Sequence, residues 1–239
     1  MDETFDASRR RFLRLTAIAG AGLLASPRIG VARPGEPAGK ETEPEEEVTP
    51  AEDLMREHGV LKRVLLVYRE AIRRIDAGED LPPEALADAA GIIRRFIEEY
   101  HEKLEEDHLF PRFRKAGKLV DLVDILARQH EAGRILTGRI LQLASARALK
   151  SPDDRKKLSG DLGLFVRMYE PHEAREDTVL FPALRKVIGP RELDALGEDF
   201  EKKEHELFGQ EGFEKMVDRV AGIEKALGIL DLSRFTPEL

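Results

Sequence analysis

Two copies of a histidine–glutamate pair are the part of this sequence best suited to chemistry. His101 precedes Glu105 by four residues, and His172 precedes Glu176 by the same interval. A spacing of four places both side chains of a pair on one face of a helix. Imidazole nitrogen and carboxylate oxygen are ligands that iron, manganese and zinc accept. Each pair could therefore contribute two ligands to a transition-metal ion.

Each pair also has one further histidine upstream, His58 before the first pair and His130 before the second. The tripeptide Leu-Phe-Pro follows both pairs in the same register, at residues 109–111 and 180–182. The chain thus has the pattern of a duplicated helical hairpin. A single pair of this kind is common on a solvated helix face, which is the competing interpretation. Duplication of the whole pattern favours a metal site instead.

Burial supplies the physical reason for a metal. Four imidazoles and two carboxylates are too many polar groups for an ordinary helical core, because each costs several kcal/mol when it is buried without a partner. Two cations bridged by Glu105 and Glu176 would satisfy all of these groups. The chain has no cysteine, which excludes disulfides, thiolate ligands and cysteine nucleophiles. The available donors therefore suit Fe, Mn or Zn rather than an iron–sulfur cluster.

The elements that must position these residues are helices, because apolar side chains recur at spacings of three and four. The predicted long helices cover residues 50 to about 76, 82 to about 111, about 120 to 148, and 152 to about 187. A shorter, more charged segment covers roughly 190–227. No segment alternates with a period of two, so no sheet is expected. We predict an all-α fold: an up-down-up-down antiparallel four-helix bundle over residues 50–187, with a shorter C-terminal helix and irregular tail over 188–239.

The N-terminus carries a basic run, Ser8-Arg9-Arg10-Arg11-Phe12-Leu13-Arg14, followed by a modest apolar stretch. This run resembles the twin-arginine export signal, with Arg14 in place of the usual lysine. The resemblance implies a signal peptide over residues 1–32, a periplasmic or other extracytoplasmic location, and no stable membrane anchor after cleavage. A basic disordered arm or an uncleaved anchor is the alternative. Residues 33–49, rich in Pro, Gly and Glu, are expected to form a disordered acidic linker.

The charge balance restricts the partners of this chain. Its 239 residues have a formal net charge of −8, and charged residues make up 36% of them. An acidic surface disfavours nucleic acid and anionic membranes. We therefore expect no nucleic-acid partner, and the sequence does not identify a redox partner.

The histidines, the two HxxxE pairs and the Leu-Phe-Pro tripeptides together resemble the hemerythrin, or HHE cation-binding, family over about residues 50–187. The resemblance implies a four-helix bundle with a carboxylate-bridged, dinuclear non-haem iron centre that binds dioxygen or related small molecules. Manganese or a mixed Fe/Mn pair would suit the same ligands. By position, the resemblance implies Glu105 and Glu176 as bridging ligands. It also implies four terminal ligands: His58, His101, His130 and His172.

The sequence departs from oxygen-carrying hemerythrins at Arg134, where those proteins have a second histidine one turn after the third-helix ligand. With fewer histidines the metals would keep more open positions, which favours redox reactivity over simple oxygen carriage. Glu102 and Glu173 follow the ligand histidines, and each could supply an extra carboxylate or be solvated. Tyr169 could hydrogen-bond a bound oxygen species or a ligand carboxylate, or be an ordinary core tyrosine.

Three other residues invite a functional interpretation. Pro171 could open space at the metal by kinking its helix, or it could be a tolerated bend. His108 has no histidine counterpart in the second repeat, so duplication does not support it as a ligand. His205 lies between Glu204 and Glu206 on the C-terminal helix, where a solvated face is expected.

The sequence therefore predicts an exported non-haem di-iron protein that binds or reduces dioxygen, peroxide or nitric oxide, in sensing, storage or detoxification. One alternative is a di-iron oxidase or ferroxidase-type enzyme, or an iron-handling protein, which would need an access channel or an iron entry path. Another alternative is a metal-free helical interaction module of the cell envelope.

Overall fold

The computed structural model describes residues 48–238, so the predicted signal peptide and most of the predicted linker lie outside the described residues. Every regular element in residues 48–238 is helical, which confirms the predicted all-α class. Two short 3₁₀ turns, Ala148–Lys150 and Leu232–Phe235, accompany the main helices. The main helices are α1 (Pro50–Ala77), α2 (residues 83–116), α3 (Val120–Leu143), α4 (residues 152–184), α5 (Pro190–Phe208) and α6 (Gly212–Leu227).

Helix α1 begins and ends where the local chemistry favours it. Thr49 is the N-cap: its hydroxyl accepts a hydrogen bond from the Glu52 N–H, and the Glu52 carboxylate accepts one from the Thr49 N–H. Gly78 follows the helix at a φ of 69°, in the left-handed region that glycine tolerates best. Helix α4 starts in a similar way, because the Ser151 hydroxyl accepts from the Asp154 N–H.

Three π-helical segments interrupt the long helices beside the predicted ligands: Ile93–His101, Glu105–Leu109 and Glu176–Leu180. A π segment bonds each N–H to the carbonyl five residues back, which widens the turn. The Phe110 N–H bonds in this way to the Glu105 carbonyl, and Pro111 then falls in the first turn of a new α-helical segment. The missing N–H of proline is tolerated there. The predicted helix end near Pro111 is therefore wrong, and α2 continues to Ala116.

The region after α4 also differs from the prediction, because residues 190–227 form two helices rather than one. Gly209 ends α5 at a φ of 73°, and Glu211, which precedes α6, has a φ of 61°. Two positive φ values so close together cannot be part of one continuous helix. Helix α3 ends at Leu143, earlier than predicted, because Ala144 leaves the helical region with a ψ of 63°.

The first four helices pack around a common core. Helices α1 and α3 each contact both α2 and α4, whereas α6 lies against α1 and α2. Arg63 on α1 donates two hydrogen bonds to the Glu224 carboxylate and ties α6 to the bundle. No helix within residues 48–238 is long and apolar enough to cross a membrane.

Candidate metal centre

One histidine from each of the first four helices reaches the middle of the bundle. All four rings are buried, as are the two carboxylates of the HxxxE pairs. Their potential ligand atoms form two groups, and within each group all atoms lie within 4.8 Å of one another. The groups are His58, His101 and Glu105, and His130, His172 and Glu176. The structure thus brings together all six residues that the sequence proposed as ligands.

The two carboxylates connect the groups. Glu176 Oε2 lies 3.1 Å from His172 Nε2 in its own group and 3.4 Å from His58 Nε2 in the other. Glu105 Oε2 lies 3.4 Å from His130 Nε2, again in the other group. Each carboxylate therefore stands between two histidines from different groups, which is the position a bridging ligand needs.

The outer nitrogen of each histidine is held by a polar side chain that the sequence analysis did not single out. Every one of these four partners accepts through oxygen, so each Nδ1 donates a proton, and each ring in its neutral form then directs the Nε2 lone pair towards the centre. The contacts are His58 to Asp177 (2.7 Å), His101 to Glu57 (2.7 Å), His130 to Glu106 (3.1 Å) and His172 to Gln129 (2.9 Å). All four rings are therefore oriented for metal binding.

These partners follow the same duplication as the ligands. Glu57 and Gln129 each directly precede the upstream histidine of their repeat, whereas Glu106 and Asp177 each directly follow the HxxxE glutamate. Both repeats have a polar residue at each of these positions. A comparison of the two repeats could therefore have identified all four partners from the sequence.

The pKa values of the ionisable groups in the centre are strongly shifted. Burial, followed by the negative charge of Glu176, raises the pKa of Glu105 well above its usual range. Burial also acts to raise the pKa of Glu176, but the imidazoles of His172 and His58 outweigh it and lower the pKa. Burial lowers the pKa of His101, and the neighbouring His58 adds to the effect. These opposed shifts are the mark of ionisable groups crowded into one dry site.

The donors present fit a pair of metal ions. Both oxygens of Glu105, both oxygens of Glu176 and His101 Nε2 are buried and form no hydrogen bond in the described part of the chain. Buried polar atoms are almost always satisfied, so a group of five such atoms indicates a missing partner. Imidazole nitrogen and carboxylate oxygen without thiolate suit iron or manganese.

Arg134 stands beside this centre and is engaged with carboxylates. Its guanidinium donates to Glu102 Oε2 over 2.8 Å and to Glu106 Oε1 over 2.6 Å. The Tyr169 hydroxyl donates to the other oxygen of Glu102 over 2.6 Å. Burial raises the pKa of Glu102 above its usual range, against the opposite effects of Tyr169 and Arg134, which favour the ionised form. Glu102 is therefore held in a Tyr–Glu–Arg network beside the predicted ligands.

The equivalent corner on the other side of the centre, formed by Glu173 and Lys62, is more open. Glu173 corresponds to Glu102, and its nearest cation is Lys62, whose Nζ lies 3.8 Å away and whose side chain is 54% exposed. Burial raises the pKa of Glu173 to about 7, although Lys62 acts to lower it. The two halves of the centre thus share their histidines and glutamates but differ in the neighbours that surround them.

The remaining sequence candidates contribute no atom to either ligand group. Helix α4 continues through Pro171 as far as Arg175 before its π segment begins. The His108 ring packs against Phe200, with centroids 5.5 Å apart. His205 is on α5 and belongs to neither ligand group.

Replacing Gly133 with alanine should displace Tyr169 from Glu102. A Cβ at this position would lie 2.8 Å from Tyr169 Cζ and closer still to its hydroxyl. Such overpacking of a core costs about 1–3 kcal/mol of unfolding free energy. Gly138→Ala on the same helix is the control, because its nearest neighbour would be 3.6 Å away. Urea unfolding should show a loss for Gly133→Ala alone, and equal effects would contradict the close contact.

Removing the partner of a histidine should weaken metal binding without removing a ligand. Loss of such an outer contact typically costs about 10–100-fold in affinity. We expect this loss for Asp177→Ala, because the His58 ring then loses the acceptor that orients it. Asp177→Asn keeps an oxygen acceptor and should lose less. Competition with a chelator measures both, and an Ala variant with wild-type affinity would contradict the orienting role.

Comparison with known proteins agrees with this geometry. The family model described as "Hemerythrin HHE cation binding domain" matches residues 49–184, and it matches again over residues 121–228. The chain is 51% identical over 232 residues to an uncharacterized protein of Mycobacterium bovis and to uncharacterized proteins of two Mycobacterium tuberculosis strains. These matches cover 96% of this chain and 91% of each relative. No solved structure gives a significant match. The chain belongs to the hemerythrin HHE cation-binding family.

Proposed function

We propose that this protein holds a dinuclear non-haem iron centre and uses it, outside the cytoplasm, to bind or reduce a small oxygen or nitrogen species such as dioxygen, peroxide or nitric oxide. The observation that carries the proposal is the convergence of four oriented imidazoles on two buried carboxylates that accept no hydrogen bond within residues 48–238. The proposal includes an up-down-up-down arrangement of α1–α4, which their mutual contacts support.

Each residue has a defined part in this centre. His58 and His101 would bind one metal, His130 and His172 would bind the other, and the two glutamates would bridge them. Iron bound there would supply one-electron redox chemistry and a Lewis acid. The protein orients the rings through their Nδ1 partners and keeps the ligand atoms buried.

We favour a reactive metal centre over a simple oxygen carrier because of Arg134. Its guanidinium is bonded to Glu102 and Glu106, so it does not supply a ligand nitrogen where an oxygen carrier has a histidine. Fewer protein ligands leave more positions for an exogenous molecule.

Elemental analysis of the purified protein tests the metal. We expect close to two iron atoms per chain, and much less in the double variant His101→Ala/His172→Ala. His205→Ala is the matched control, because it removes a histidine outside both groups. A chain that binds only manganese would contradict the iron assignment, and a chain without bound metal would favour a helical interaction module.

Spectroscopy of the iron-loaded protein tests the ligand. The reduced protein is mixed with dioxygen, peroxide or nitric oxide, and its visible absorption is recorded over time. Rapid bleaching with consumption of peroxide supports turnover, whereas a stable and reversible oxygen band supports carriage. Continued oxidation of added ferrous iron would instead favour the ferroxidase alternative.

Cell fractionation tests export. The double variant Arg9→Lys/Arg10→Lys should leave the protein in the cytoplasm, because the export signal that this run resembles depends on paired arginines. Arg11→Lys changes the neighbouring variable position and serves as the control. Normal export of the double variant would contradict the twin-arginine assignment.

A further inference from the structure

Tyr169 is in ring contact with a predicted ligand. Its centroid lies 5.2 Å from that of His172, and the side chain is buried. The other two tyrosines, Tyr68 and Tyr100, have their ring contacts with phenylalanines in the described part of the chain. Tryptophan and cysteine, which also give up a single electron readily, are absent from the sequence. Tyr169 is therefore the best-placed electron donor that this chain offers to the centre.

The Tyr169 hydroxyl has a proton acceptor in place. It donates to Glu102 Oε1 over 2.6 Å, and both side chains are buried. Arg134 donates to the other oxygen of Glu102, so both oxygens accept hydrogen bonds, as those of an ionised carboxylate do. A phenol gives up an electron far more easily when a base takes its proton in the same step. The Tyr169–Glu102 pair has the geometry for this coupled loss.

The position of Tyr169 is specific to the second repeat. The equivalent residue of the first repeat is Glu98, so the duplicated fold does not itself require a tyrosine here. Gly133 faces the Tyr169 hydroxyl, and any Cβ there would collide with it. The ring stacks on Phe165, with centroids 4.3 Å apart. Gly133, Phe165 and Glu102 together hold the Tyr169 phenol beside the centre.

We propose that Tyr169 donates one electron to the metal pair and that Glu102 accepts its proton, an inference that rests on the proposed function. Hydrogen peroxide takes up two electrons and two protons to form two water molecules. A metal pair held by the four histidines and two glutamates, already reduced by one electron, would supply the first electron, and Tyr169 supplies the second as its O–H bond breaks. The phenolic proton passes to Glu102, and solvent supplies the two protons that the peroxide needs. A phenoxyl radical remains until an external one-electron reductant restores the phenol.

Freeze-quench electron paramagnetic resonance tests this step. Iron-loaded protein, reduced by one electron per metal pair, is mixed with hydrogen peroxide and frozen. We expect a tyrosyl radical whose spectrum narrows when the protein carries ring-deuterated tyrosine. Tyr169→Phe should reduce this signal at least tenfold. Tyr68→Phe should keep it, because the Tyr68 hydroxyl has no hydrogen bond in the described residues and its ring contact is with Phe165.

Two further measurements separate the possible outcomes. Iron content is determined for every variant, and peptide mass spectrometry after repeated peroxide treatment without reductant should find added oxygen on Tyr169. A radical that persists in Tyr169→Phe, or iron-loaded wild-type protein that forms no radical and no modified Tyr169, overturns this inference alone. A wild-type chain that binds no iron overturns the proposed function and this inference together.

Discussion

Loading the protein with iron should raise its melting temperature by about 8–16 °C over the metal-free form. A ligand that binds only the folded state, present at about 1,000 times its dissociation constant, adds about 4 kcal/mol to the free energy of unfolding. For a chain of this size each kcal/mol moves the melting temperature by about 2–4 °C. We expect tight binding of iron, because the oxygens of Glu105 and Glu176 are buried and accept no hydrogen bond from the described residues.

The matched variant is Glu105→Gln with Glu176→Gln, which keeps the shape of both side chains and removes their charge. Iron should then no longer change the melting temperature. Scanning calorimetry with and without iron measures all four states. A wild-type melting temperature that does not change when iron is added would contradict the stabilising role of the metal.

Replacing Arg134 with alanine should lower the free energy of unfolding by about 2–3 kcal/mol. Removing one member of a buried ion pair costs about 3–5 kcal/mol, because the other charge stays buried without its partner. Glu102 is buried and would lose one of its two partners. We expect less than the full range because 25% of the Arg134 side chain is exposed and solvent screens its charge.

Lys62 provides the matched control, since it stands at the equivalent position of the first repeat. Its side chain is 54% exposed and lies 3.6 Å from Asp177 and 3.8 Å from Glu173. An exposed pair of this kind contributes about 0.2–1 kcal/mol, so Lys62→Ala should have a small effect. Urea unfolding of the metal-free proteins compares the two variants. Equal losses would contradict the difference that we infer between the two halves of the centre.

The candidate ligands could be found from the sequence because their spacing is local. His101 and Glu105 share a helix, so their separation of four residues alone places them on one face. The same holds for His172 and Glu176, and the repeat then identifies the upstream histidines. The structure brings all of these residues into two groups, whereas their role as metal ligands stays a prediction.

The helix boundaries show where local patterns were insufficient. Pro111 normally ends a helix, yet α2 passes it because the preceding π segment shifts the hydrogen bonds by one residue. The apolar pattern after residue 190 continued without a gap, so it did not reveal the positive φ at Gly209 and Glu211. Both features depend on how the backbone fits its surroundings, which a periodicity of side chains does not encode.

By itself, the sequence determined the helical class, the duplicated HxxxE pairs and the absence of histidine at position 134, because each is a matter of residue type and local spacing. The tertiary structure decided which carboxylate meets which ring. Asp177 reaches His58 from α4, and Glu102 is shared by Tyr169 and Arg134, contacts between residues far apart in the chain. Such contacts depend on the rotation and register of packed helices, which become defined only when the whole core assembles.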